Sequence, residues 1–267
     1  MTDGTLNEGT LNDGALLASL LLLGFAFILV LARCGAAIML LPGLGEAEPP
    51  ALVRAGLAFA LAVLLLPIVA AIAPPPPDSP LLAAGMVAAE LAAGGLLGWL
   101  ARLPSMALGT AGAIASYMLG LSSVVQTDPA LGGQSAALGR LFGLAAPVLI
   151  LGSGLYALPL QALAGSYQVL PPGTLIPAGP AAESVTGTVL AAFALAVQLA
   201  APFILASVVF QGALGILGRL VPKLQLASGA VPGQILGGLA LLGLCAAGLL
   251  AVWEDGMRQP WTHLPGL

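Results

Sequence analysis

The sequence predicts an all-α, polytopic membrane protein of about six kinked, hairpin-forming apolar helices with no soluble domain. Three observations lead there. First, the 267 residues include only 7 Lys plus Arg and 11 Asp plus Glu, while 59% are hydrophobic; soluble domains carry charge at roughly a quarter of positions. Second, the mean hydropathy is +1.07. Third, charge-free runs occupy 14–32, 55–77, 103–127, 141–182, 184–218 and 224–253, each close to or above the ~20 residues a helix needs to cross the bilayer core.

Turn-forming residues divide these runs into elements. A polar N-terminal tail, 1–14, holds Asp3, Glu8 and Asp13 but no Lys or Arg, unlike the positive start of a cleaved signal peptide. The first helix, about 15–41, is therefore expected to be retained. Pro42-Gly43-Leu44-Gly45 through Pro49-Pro50 ends it. A second helix, about 51–73, stops at the stiff Pro74–Pro77 run, and a third covers about 81–103. Residues 104–135 form an irregular, glycine-rich stretch. A fourth helix is expected at about 136–164, followed by the Pro171-Pro172-Gly173 to Pro180 connection, a fifth at about 184–218 and a sixth at about 229–252. Together 15–252 read as one membrane-embedded domain, with 253–267 as a C-terminal tail.

Positive residues test this arrangement, because Lys and Arg accumulate in cytoplasmic loops. Arg33 and Arg54 flank the first loop, Arg102 and Arg140 the third, and Arg219 and Lys223 occupy the fifth; only Arg258 falls on the other side. Both termini are then expected outside the cytoplasm. Arg33, Arg54 and Arg140 are expected to snorkel to the interface.

Glycine, 36 of 267 residues, is about twice its usual ~7%. Gly94 and Gly98, Gly139 and Gly143, and Gly229, Gly233 and Gly237 recur every four residues, which makes smooth strips for close helix packing, within the chain or against other subunits. Pro67, Pro104, Pro147, Pro159, Pro202 and Pro232 lie inside apolar segments, where each tends to kink its helix.

The stretch 104–135 admits two readings. In one it is a long helix with a re-entrant or frayed end. In the other Gly109, Gly112, Ser116, Gly120 and Ser122 loosen a mobile apolar loop, and Tyr117, Met118, Leu119 and Leu121 close a pore. Asp128 before Pro129 suits a turn or helix start. Glu90 sits in mid-helix, where an acid is costly and by default functional or paired; a neutral, hydrogen-bonded acid is the alternative. Arg102 is twelve residues on, about 18 Å along a helix, so the partner must come from another helix, another subunit or water.

Composition excludes much else. One histidine, His263, and Cys34 and Cys245 outside any CxxC pattern leave no set for metal, cofactor or nucleophilic chemistry, so no enzyme is expected. The net charge of -4 argues against nucleic acid, which demands clustered Lys and Arg.

Taken in order, Leu31-Ala32-Arg33-Cys34-Gly35, Pro42-Gly43-Leu44-Gly45, Pro49, Arg54 and Pro67 lead to Glu90-Leu91-Ala92-Ala93-Gly94-Gly95 and Gly98. Gly112, Gly120-Leu121-Ser122, Asp128-Pro129, Gly133-Gln134-Ser135 and Ser166-Tyr167-Gln168-Val169-Leu170-Pro171 follow, and Leu214 to Pro222 with Pro232 close the series. This order resembles the FliR family of type III export gate subunits, flagellar and virulence-associated. The resemblance implies a subunit of the flagellar export gate in the bacterial inner membrane at the basal body. It implies FliP and FliQ homologues as partners in a hetero-oligomeric gate, FlhB nearby, unfolded export substrates, and a final position partly in the periplasm. It also makes about Gly109 to Val125 an internal plug. Outside that family, a small-solute secondary transporter using Glu90 is the alternative.

Overall fold

The computed structural model describes residues 4–46, 48–121, 137–220 and 226–266, and is all-helical among them. The helices are α1 (Gly4–Leu40), α2 (Ala51–Ala70), α3 (Pro80–Met118), α4 (Ala137–Ser153), α5 (Ala157–Val169), α6 (Ala178–Leu220) and α7 (Leu226–Thr262). Five are long and apolar enough to cross a membrane, or six if α4 and α5 count as one broken span. Ser122, Asp128, Pro129 and Lys223 lie outside the described residues.

Several elements differ from expectation: the first helix begins at Gly4 and not near 15, and four others depart for physical reasons. The third helix does not stop near 103 but continues to Met118. Glycine and serine weaken a helix in water, but where water is scarce the backbone must bond within itself, and helix is the cheapest way. The predicted fourth helix is interrupted between Ser153 and Ala157, with Gly154 at φ +76°. Pro159 has no N–H and its ring would clash with the carbonyl of Leu155, so it is tolerated only in the first turn of a new helix. The last helix passes 252 and runs to Thr262, with Trp253, Met257 and Trp261 fully buried at a spacing of four. The fifth predicted helix also starts earlier, at Ala178, with Pro180 in its first turn, a position where the missing N–H costs nothing. With 43 and 39 residues, α6 and α3 are about 64 and 58 Å long at ~1.5 Å per residue, well beyond the ~30 Å hydrocarbon core.

The chain forms two compact units. The first comprises Met1–Ala101, Tyr156–Glu183 and His263–Leu267. Its core joins Val30, Cys34 and Ala37 of α1, Ala62, Leu65 and Val69 of α2, Leu97 of α3, and Leu163 and Tyr167 of α5. Phe27 and Phe59 meet edge to face at 5.5 Å beside it. Gly94 and Gly98 seat α3 on α1: a Cβ at Gly94 would collide with the Arg33 carbonyl oxygen, and one at Gly98 would lie 2.7 Å from that of Ala37.

The second unit comprises Arg102–Leu155 and Ser184–Thr262. Here α3 meets α4 through Gly112, where a Cβ would lie 2.6 Å from the Leu138 carbonyl oxygen, and through Gly139, where one would lie 3.1 Å from Ala113. On α7 the close approach falls to Gly238, which faces the Leu119 side chain, while a Cβ at Gly233 or Gly237 would meet nothing within 4 Å.

Candidate functional site

Two places gather the residues singled out by the sequence. The first is a buried charge cluster in the first unit. Arg33, in the interior of α1, and Glu90, in mid-α3, are both 0% exposed. Arg33 Nε donates to Glu90 Oε2 at 2.7 Å and Nη2 to Oε1 at 3.0 Å, the parallel fork in which a guanidinium meets a carboxylate most strongly. Nη1 donates to Ser166 Oγ at 3.1 Å and Nη2 also to the Leu170 carbonyl at 3.0 Å. Ser166 Oγ donates to the Leu163 carbonyl at 2.7 Å, and Gly173 N donates to Glu90 Oε1 at 2.7 Å. The guanidinium carbon stands 4.1 Å from the centre of the Tyr167 ring, a cation–π distance. Cys34 Sγ lies 3.9 Å from the Tyr167 hydroxyl.

Local sequence accounts for this geometry. Gly94 is one helical turn beyond Glu90, so the strip that lets α3 touch the α1 backbone at Arg33 also brings Glu90 alongside. The end of α5 supplies Ser166 and Tyr167, and the Pro171-Pro172-Gly173 turn supplies Gly173 N, with Gly173 at φ +79°. Arg33 therefore does not snorkel to an interface: its charge is matched internally by an acid and by carbonyl and hydroxyl oxygens. Glu90 has its partner on another helix of the same chain. Ser166 and Tyr167 were visible only as part of a motif run, with no sequence signal that they line a charge. Both Glu90 oxygens are engaged, which leaves the transporter alternative without a free intramembrane carboxylate at that position.

The second place is the end of α3. Gly109, Gly112, Ser116, Tyr117 and Met118 lie on the helix; Gly120, at φ +73°, and Leu121 follow it. Of the two readings of this stretch, helix is therefore the one that describes 104–118. Three contacts hold it. Gly109 passes the Gly143 backbone, an added Cβ lying 3.4 Å from its Cα. Leu138 N, in the first turn of α4, donates to Ser116 Oγ at 3.1 Å, which satisfies one of the donors a helix start leaves open. Gln234 Nε2 of α7 donates to the Met118 carbonyl at 2.6 Å. Leu119 is buried, whereas Tyr117 is 74% exposed.

The remaining charges are dispersed. Arg54 and Arg102 are half-buried, Arg140 and Arg219 exposed, and among the described residues no three His, Cys, Asp or Glu side chains are placed to hold a metal.

Comparison with known proteins bears on both places. Residues 25–259 match the family model described as Bacterial export proteins, family 1. The flagellar biosynthetic protein FliR of Caulobacter vibrioides is 36% identical over 231 residues, 86% of this chain and 92% of that protein. The chain belongs to the FliR family of bacterial export proteins. The FliR of Bacillus subtilis is 28% identical over 230 residues, covering 85% and 88% of the two chains. The FliR-family match takes in Arg33, Glu90, Ser166, Met118 and Gln234, so both clusters lie within the family's shared length. The family resemblance read from motif order thus holds.

Proposed function

We propose that the chain is the pore-forming structural subunit of a flagellar type III protein export gate in the bacterial inner membrane. It assembles with FliP and FliQ homologues, with FlhB nearby, and lets unfolded export substrates cross. The observation that carries this reading is the match over nearly the whole chain to an export family, with relatives named for flagellar biosynthesis. Those names favour the flagellar over the virulence setting. Exposed apolar side chains along α6, including Leu205, Val208, Val209, Ile216 and Leu220, suit cover by lipid or by other subunits. Helices far longer than the hydrocarbon core fit a gate that projects toward the periplasm at the basal body. Arg54, Arg140 and Arg219, each near a helix end, support an orientation with both chain termini outside the cytoplasm.

The gate segment is Gly109 to Leu121. Its support is a helix held by glycine contacts and single hydrogen bonds, with Tyr117 turned outward. A tagged chain is expected to copurify with FliP and FliQ homologues as a defined complex, and shortening Gly112–Gly120 is expected to make membranes containing that complex leaky to protons. A chain that purifies alone from a cell expressing all components overturns the subunit reading, and a tight membrane after shortening overturns the gate assignment.

A further inference from the structure

We propose that Gln234 is the latch of the gate segment: its side-chain amide holds the end of α3 in the closed position, and losing that bond opens the gate. The inference rests on reading Gly109–Leu121 as the gate.

The end of α3 is closed by Leu119 N to the Ala115 carbonyl at 2.9 Å and Gly120 N to the Tyr117 carbonyl at 3.2 Å, with Gly120 left-handed at φ +73°, the usual device for stopping a helix. Met118 O belongs to the last turn, whose carbonyls have no partner along their own helix. In apolar surroundings such an oxygen needs a donor. Gln234 supplies it from α7 at 2.6 Å. From Pro232 to Val252 every other residue is apolar, glycine or Cys245, and a lone amide in such a helix is expensive unless bonded. Donor and acceptor thus each satisfy the other.

A second contact aligns with the first. Gly238 is one turn beyond Gln234 on α7, and a Cβ built there would lie 2.8 Å from Leu119 Cγ, so Leu119 rests on bare backbone. Beside both is a pocket of about 310 Å³ lined by Leu119, Ser207, Phe210, Gly233, Gln234 and Gly237. Beyond Ser116, the contacts described for the end of the segment with α7 are the Gln234 hydrogen bond and the Leu119 packing on Gly238, next to space into which it can shift. A neutral bond of this kind shifts a two-state equilibrium by about five- to tenfold, a measurable bias toward the closed state that is small enough to be reversed by a passing substrate.

The test uses the full chain in the assembled complex and reads proton leak in inverted membrane vesicles, with copurified subunits measuring assembly. Gln234→Met keeps the shape and removes the donor; it is expected to raise the leak about five- to tenfold at unchanged assembly. Gln234→Lys restores a donor and is expected to return the leak to the starting level. A tight Gln234→Met complex, in a background where shortening Gly112–Gly120 leaks, overturns the latch and leaves the gate. A background where shortening does not leak overturns both. If Gln234→Met fails to assemble, Leu119→Cys with Gly238→Cys decides, Cys245 being replaced by Ser. Oxidation is expected to abolish export and reduction to restore it; unimpaired export by the oxidised complex overturns the proposal.

Discussion

The Arg33–Glu90 cluster and the end of α3 are both polar contacts in an apolar chain, yet they are built oppositely. Around Arg33 four donor bonds, a forked carboxylate, a ring face and the Gly173 amide converge on two fully buried charges. At the end of α3 the contacts to neighbouring helices are neutral ones: Ser116 with Leu138 N, and Met118 O with Gln234. A saturated charge network has one arrangement, because any displacement strands a charge away from water. A neutral bond between helices can break at modest cost. The first region is fit to be rigid and the second to move.

The sharpest break of this comparison is to strand one charge. Arg33→Leu or Glu90→Leu leaves its partner buried and unmatched, for a destabilisation of about 3–5 kcal/mol; loss of detergent-stable folded chain on gel filtration checks it. The double variant Arg33→Leu with Glu90→Leu is expected to be milder than either single one, because no charge is left behind. Glu90→Gln keeps the shape and one acceptor and should fall between, in thermal unfolding, since the guanidinium remains charged.

Smaller effects follow at the glycines. Gly94→Ala must push α3 off the Arg33 backbone, an overpacking worth about 1–3 kcal/mol, and it lengthens the ion pair as well. A melting temperature lowered by less than that of Gly98→Ser would show that the strip does not set the register. Below these comes Ser116→Ala, which removes the cap on α4 at about 1 kcal/mol and is expected to raise hydrogen exchange at the start of α4 without altering α1 or α5. The smallest effect is at Gly215, where an added Cβ meets nothing within 4 Å. Gly215→Ala should leave the melting temperature of the isolated chain unchanged or slightly raised, by under about 0.5 kcal/mol; reduced copurification of partners would then mark that face as an interface.

Parts of both regions, though not the contrast between them, were legible in the sequence. Spacing of charges and prolines located most of the helices, and the repeat of Gly94 and Gly98 announced a close approach. That Glu90 needs a partner beyond its own helix followed from its cost in lipid, with another helix, another subunit or water all open. Its partner did not, because Arg33 is 57 positions away and a lone arginine near a loop reads as an interface anchor until a packed acid is known. The helix from 104 to 118 was obscured by glycine and serine, whose low propensity in water loses its force where the backbone has no other partner. The break at Gly154 was hidden because Pro159 signals a kink, not which side of it gives way. Gln234 carries no sequence signal, since a single glutamine in an apolar run has no period or motif.

The cluster around Arg33 also constrains how the chain is made. Arg33 leaves the ribosome 57 residues before Glu90, and Ser166 follows 133 residues after Arg33. Until α3 arrives, α1 carries an unmatched cation, and until α5 and its turn follow, the pair is only partly solvated. Membrane insertion of the first helix is thus expected to remain provisional, held near water or by the insertion machinery. The commitment step of biogenesis is then the arrival of residues 166–173, late in synthesis, when the first unit closes around its charges.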